Sequence, residues 1–255
     1  MDLIAEYVAQ EQWREWDAIL DRLPIARDQT VLDLGCGPGP VSARLAGRAA
    51  KVVGIDQNLE LLNAARERCP ANCRFLEADL RALESQNLPL ADGLWSSFTA
   101  AYFPDFASVL QCWLSYLAPG GWIALVEIDD LWRGHHPLPD GVRAAFAEFA
   151  DHIFAEGSYD CRMGRRLGAI CQSVGFTIKA KYRVNDPELA FDGPAPPAIL
   201  AAWQRRFARM PAMRTYLGAD RFNEVTQSFL ETISLSDHRS TAAVVVVQAE
   251  RPPND

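Results

Sequence analysis

An open α/β fold, a largely parallel sheet with helices on both faces, is what this 255-residue chain predicts. Three observations carry that reading. The first is Thr30 to Ala46, TVLDLGCGPGPVSARLA. There a short apolar run meets glycines at every second position, Gly35, Gly37 and Gly39, and after Pro40 the pattern turns helical. The second is the alternation of strand-length apolar runs with helical stretches as far as residue 184, the rhythm of βα units. The third is TAAVVVVQ at 241–248, a strongly β-prone run that closes the pattern.

The strand–glycine turn–helix unit sets the chemistry. Glycine permits positive φ and lets a ligand approach without a Cβ in the way. Ligands of open α/β sheets bind in the crevice at the carboxyl ends of the strands. The dinucleotide pattern G-x-G-x-x-G is not met, because Pro40 stands where the third glycine belongs. Asp33 precedes the first glycine by two places. A short turn without a pyrophosphate site suits a ligand with an amino-acid end. A tight structural turn with incidental glycines is the bland alternative, and the next two strands, which also end in acids, argue against it.

On these residues, DLGCGPG resembles motif I of the class I S-adenosylmethionine (SAM)-dependent methyltransferases. The resemblance implies that Gly35, Cys36, Gly37 and Gly39 contact the methionine part of SAM and that Asp33 helps to hold its ammonium. Lys51 to Ile55 reads as the second strand, ending in Asp56 and Gln57. A carboxylate only accepts hydrogen bonds and has two oxygens, so Asp56 suits the two ribose hydroxyls. NAD sites use the same device, and a helix cap is the structural alternative. Cys73 to Ala78 is the third strand, followed by Asp79 and Leu80. The family places an acid there beside the adenine amino group, which an NAD site does not require. Asp92 to Phe98 is the fourth strand. Ser96, Ser97, Phe98 and Tyr102 are expected near the transferred methyl, where an aromatic face makes weak CH and cation–π contacts. LAPGG at 117–121, followed by an apolar strand to Ile128, is a further family feature.

The flanking segments frame an acceptor site. Residues 1–24 have apolar positions at helical spacing and are expected to form a helical lid, with Tyr7, Trp13 and Trp16 over the pocket. A helix packed on the sheet edge is the equal alternative. The loop Asp129–Pro137 leaves the carboxyl edge of the sheet. Asp130, His135 and His136 are its candidates for a general base and Trp132 for substrate contact. Helices follow at 139–154 and 162–174, the second stopped by Gly175, and a sixth strand at 176–184. Residues 185–238 break the rhythm with a proline-rich linker and a helical stretch carrying Arg205, Arg206, Arg209 and Arg214. That insertion reads as a cap or an oligomer surface, and its arginines as a solvated face or as partners of an acidic substrate.

The resemblance implies one Rossmann-like domain over 1–255: a seven-stranded mixed sheet of order 3-2-1-4-5-7-6, with an N-terminal lid and the 185–238 cap. It lies nearest the ubiquinone- and menaquinone-type small-molecule enzymes. The expected activity is in-line methyl transfer from SAM to a small aromatic or apolar metabolite, with no metal. A formal charge of −8 and pI near 5.1 argue against a nucleic-acid surface. No apolar run reaches bilayer length, and the acidic, amphipathic start is unlike a secretory leader, so a cytoplasmic, membrane-free protein is expected, with a homodimer as one option. Six scattered cysteines read as reduced thiols; Cys69 and Cys73 lack the second pair a zinc site needs. Two other readings stay open: an NAD(P)-dependent oxidoreductase, and a SAM-binding partner protein without catalysis.

Overall fold

The computed structural model describes residues 3–253. Short helices α1 (Leu3–Gln10) and α2 (Trp16–Leu20), with a 3-10 turn between them, precede the sheet. The core then alternates β1 (Thr30–Leu34), α3 (Pro40–Ala46), β2 (Lys51–Asp56), α4 (Leu59–Arg68), β3 (Cys73–Glu77), β4 (Ala91–Ser97), α5 (Phe106–Leu114) and β5 (Leu117–Asp129). Next come β6 (His135–His136), α6 (Asp140–Ala155), α7 (Met163–Ser173) and β7 (Thr177–Val184). The insertion supplies α8 (Pro197–Ala208), α9 (Pro211–Leu217) and α10 (Ala219–Ile233), and β8 (Arg239–Ser240) and β9 (Ala243–Glu250) complete the chain.

Seven strands form one sheet in the order β3-β2-β1-β4-β5-β9-β7. Counting only these strands along the chain, that is the expected 3-2-1-4-5-7-6. The first five are parallel, and β9 runs antiparallel between β5 and β7. Local chemistry sets the helix starts. Asn58 accepts from the backbone N–H of Glu60 and Leu61 at 3.0 and 3.2 Å, and Pro40, Pro197 and Pro211 each open a helix, where a missing N–H costs nothing. Gly175, at φ 96°, stops α7. The expected turn at 118–121 lies inside β5, which starts at Leu117 because its early residues already pair: Leu117 with Ala91, and Trp122 with both Gly93 and Glu250. Among the described residues no helix is long and apolar enough to cross a membrane.

The insertion is helical, and its apolar side joins the core on one face of the sheet. Trp203, Phe207 and Phe229 pack with ring centroids 4.7 to 5.8 Å apart, and Phe146 of α6 joins them. The small β6–β8 ribbon, which pattern reading did not foresee, staples the loop after β5 to the end of the cap. Beside it His135 and His238 stack, with Nδ1 of His135 2.9 Å from Nε2 of His238. Nδ1 of His238 lies 2.9 Å from the Gly193 carbonyl, which only accepts. That carbonyl assigns a proton to His238 Nδ1, leaves its Nε2 as acceptor, and so makes His135 Nδ1 the donor.

Both rings are therefore neutral. Burial pushes His135 down to about 3, with the charges of His238 and His136 acting in the same direction, and burial lowers His238 as well. A folded pKa below the unfolded value of about 6.5 makes this stability complete above pH 6.5 and lost progressively as pH falls from there towards 3. We expect the urea midpoint to fall between pH 6.5 and 4, and to fall less in His135→Leu after normalisation at pH 8. Equal acid sensitivity in both proteins would assign the effect to other groups.

Candidate active site

The turn after β1 is built on left-handed glycines: Gly35, Gly37 and Gly39 have φ of 78°, 51° and 82°. Gly35 is also required by space, since a Cβ there would meet the Thr99 side chain at 2.1 Å. Gly37 has nothing within 4 Å of that position, so its face is open to a ligand. The backbone N–H groups of Gly35 and Cys36 donate to the Ile55 carbonyl at 2.8 and 3.1 Å, tying the turn to β2. Asp56, at the end of β2, completes the tie: Oδ2 accepts from the Gly37 N–H and Oδ1 from the Asn58 N–H, both at 2.9 Å.

Asp33 is buried and accepts from the Ser42 hydroxyl at 2.5 Å. Burial pushes its carboxyl up to about 7, against the Ser42 hydrogen bond and with help from Asp56. Asp79 lies at the open end of the same crevice, where hydrogen bonds from Arg81 hold it below the usual carboxylate range. The three acids face one cavity of about 520 Å³, with Gly35, Cys36, Gly37, Gln57 and Leu80 also on its wall. That volume lies within the range of small-molecule sites.

The far wall comes from the N-terminal segment, the loop after β4 and the insertion. Tyr7 of α1 lines it, and burial pushes the Tyr7 phenol up to about 12. Trp16 stands against Phe98 at 5.7 Å, and Arg14 lies 5.3 Å from the centre of the Phe98 ring. Tyr102 and Tyr159 meet edge to face at 5.0 Å. Beneath them Glu127, buried on β5, accepts from the Ala101 N–H at 3.0 Å and so holds the turn that carries Tyr102. From the cap, Arg206 reaches the cavity. One Nη donates to Glu188 at 2.6 Å, while its buried Nε has no acceptor. Glu188 is fully buried, and its other oxygen takes Arg14 at 2.5 Å. Arg14 in turn grips both oxygens of Asp186 at 2.8 Å. This four-residue chain of charges binds the lid segment to the cap.

Several expected residues lie elsewhere. His135, His136, Asp130 and Trp132 are not on the cavity wall. The loop after β5 turns back under the cap, so His135 joins His238, Trp132 stacks on Phe146 at 5.5 Å, and Asp130 is held by Arg133 and Arg165. His136 sits 3.3 Å from Arg143. Ser96 turns into the sheet and donates to the Leu34 carbonyl at 2.8 Å; Ser97 and Phe98 take the wall. Of the two expected lid tryptophans, Trp13 packs on the core and Trp16 lines the cavity. Gly39 starts α3 behind the loop. Arg14, Asp186 and Glu188 went unnoticed in the sequence. Their signal was two acids around a proline in a segment otherwise read as linker.

Comparison with known proteins fits this geometry. A family model described as a methyltransferase domain matches residues 31–121. The structure of an S-adenosylmethionine-dependent methyltransferase from Mesorhizobium loti superposes with a TM-score of 0.55 at 21% identity, over 93% of this chain and 97% of that one. A methyltransferase domain is thus recognisable over residues 31–121. Curated relatives of the methyltransferase domain include the trans-aconitate 2-methyltransferases of Azoarcus sp. strain BH72, 38% identical over 46% of each chain, and of Rhizobium leguminosarum bv. trifolii, 28% identical over 81% of this chain and 80% of the relative. The chain spans about half the length of the more identical curated relatives, 46% and 55% for the first two. The methyltransferase fold also recurs in the [4+2]-cyclase SpnF, with a TM-score of 0.59 at 17% identity over 98% of this chain and 82% of that one, a likeness of fold alone.

Proposed function

We propose that this chain transfers the methyl group of SAM to a carboxylate oxygen of a small organic acid with a planar or apolar body. The observation that carries the reading is a single cavity walled on one side by the glycine loop, Asp33, Asp56 and Asp79, and on the other by Arg206 and an aromatic set. SAM fits the first side. Gly37 offers an open backbone face, Asp33 a buried carboxyl for the ammonium, Asp56 free lone pairs for the ribose, and Asp79 with Leu80 an edge for the adenine. When bound, SAM supplies an electrophilic methyl on a sulfonium whose departure as a neutral sulfide needs no acid.

The second side suits an acid. Arg206 lies on the cavity wall, and a guanidinium recognises a carboxylate through paired N–H donors. Trp16, Phe98 and Tyr102 give the acceptor's body a flat apolar wall. The relatives' printed name, trans-aconitate 2-methyltransferase, names such an acid as the substrate of those proteins. No side chain of the β5 loop is placed to remove a proton, and a carboxylate needs no base, since it is ionised at neutral pH. The chain's work is to orient: holding acceptor and donor in line contributes up to about 7–11 kcal/mol.

The test is incubation with SAM and trans-aconitate, then with a panel of short unsaturated and aromatic acids, scoring methyl ester and S-adenosylhomocysteine in equal amounts. Arg206→Met is expected to lower kcat/KM for the acid on the order of 100-fold, the loss of about two charge-assisted hydrogen bonds, with S-adenosylhomocysteine affinity held within about threefold. Methylation of a neutral acceptor, undisturbed in Arg206→Met, would sink the carboxylate reading. Binding of NADH in place of SAM would sink the reading as a whole.

A further inference from the structure

Beside the glycine loop lie thiols that methyl transfer does not use. Cys69 ends α4 and Cys73 begins β3, and the turn between them is tight, with the Cys73 N–H donating to the Pro70 carbonyl at 2.9 Å. Both sulfurs reach the start of α3. Sγ of Cys69 lies 3.3 Å from the Gly39 carbonyl, and Sγ of Cys73 lies 3.6 Å from the Ser42 carbonyl. The two thiols also influence each other, which lowers Cys69 and raises Cys73. Cys69 has access to solvent through a small cleft of about 90 Å³, lined by Gly39, Pro40 and Arg68 and roofed by Tyr7 and Val8 of the lid. Cys36 nearby is buried, and burial raises its thiol.

We propose that Cys69 and Cys73 form an oxidation site for hydroperoxides, closing to a disulfide that loosens the cofactor loop. Cys69 is the attacking sulfur because it is the one reached through the cleft, beside the cation of Arg68. Its thiolate attacks one oxygen of the peroxide and the O–O bond breaks. The products are a sulfenic acid on Cys69 and hydroxide, or an alcohol's oxyanion, which takes up the proton Cys69 released. The Cys73 sulfur then attacks the Cys69 sulfur and expels hydroxide, which leaves as water with the Cys73 proton. Two thiols are oxidised, one peroxide is reduced, and two hydroxylic molecules leave. The disulfide has no S–H, so the donor at the Gly39 carbonyl is lost, as is the one at Ser42. Gly39 closes the turn whose Gly37 N–H is held by Asp56. A pull on that carbonyl therefore acts on SAM binding.

The test uses the whole protein and needs no acceptor substrate. Reduced protein is treated with a small excess of hydrogen peroxide, thiols are counted, and peptides are mapped by mass. The expected result is loss of two thiols joined as a Cys69–Cys73 disulfide, and a fivefold or greater loss of affinity for S-adenosylhomocysteine that dithiothreitol restores. Cys73→Ser should stop at a sulfenic acid on Cys69, trapped by dimedone, and Cys69→Ser should resist peroxide. Oxidation confined to Cys36, or a Cys69–Cys73 disulfide that leaves the affinity unchanged, would overturn the proposal. Binding of S-adenosylhomocysteine by the reduced protein is measured first, so a failure of the methyltransferase reading shows separately.

Discussion

Asp56→Ala is expected to lower the affinity for S-adenosylhomocysteine by at least about 100-fold. The carboxylate accepts from two backbone N–H groups, of Gly37 and Asn58, and the proposed site adds two ribose hydroxyls. Hydrogen bonds to a charged group contribute about 1.5–3 kcal/mol each, so losing the ribose pair alone amounts to two or more decades. Freeing Gly37 adds to the loss, because the open face of the turn is no longer held in place. Asp56→Asn separates the contributions: it keeps an oxygen for one N–H but forfeits the charge, and an intermediate loss is expected. Calorimetric titration decides. An Asp56→Ala affinity within threefold of the parent would show that Asp56 serves the turn and the α4 start alone.

The second large effect falls on stability. Glu188 is fully buried and lies between Arg14 and Arg206 at 2.5 and 2.6 Å. The two arginines and the two acids, Asp186 and Glu188, cancel in charge. Glu188→Ala removes one fully buried anion from between two cations. Breaking a buried pair in this way costs about 3–5 kcal/mol, because the partners' desolvation is no longer offset. The urea midpoint should fall accordingly. A double-mutant cycle with Arg14→Ala should show strong coupling, since once Arg14 is gone its repulsion with Arg206 is gone too. A loss below about 1 kcal/mol would mean that Arg14 is satisfied by Asp186 alone. The same substitution also releases the lid segment from the cap, so its effect on acceptor binding should exceed its effect on S-adenosylhomocysteine.

The glycine-loop side of the cavity, the proposed donor half, was legible because its signal is local. Gly35, Gly37, Asp33, Asp56 and Asp79 sit at strand ends, and a parallel sheet brings successive strand ends to one edge whatever else the chain does. The acceptor half depends on long-range packing. His135 and His136 look like catalytic groups in a loop after β5, yet the cap draws that loop under itself and uses one imidazole in its core. Ser96 was misplaced by a single residue, and the alternation of side chains along a strand turns one such step into the opposite face. Arg14 and Glu188, 174 residues apart, carry no pattern that betrays their pairing. Arg206 stood out only as one of four arginines on an amphipathic stretch, where a solvated face is the commoner outcome.

The placement of the last strand gives the chain a modular property. Val184, at the end of β7, pairs with Val244, near the start of β9. Everything from the proline-rich linker to the small ribbon therefore leaves and re-enters the sheet at neighbouring points. Such a segment is a cassette: its length and sequence can change while both anchors stay fixed in register. Under the proposed function, donor recognition and acceptor choice are thus free to diverge separately, one written in the strand ends and the other in an exchangeable loop.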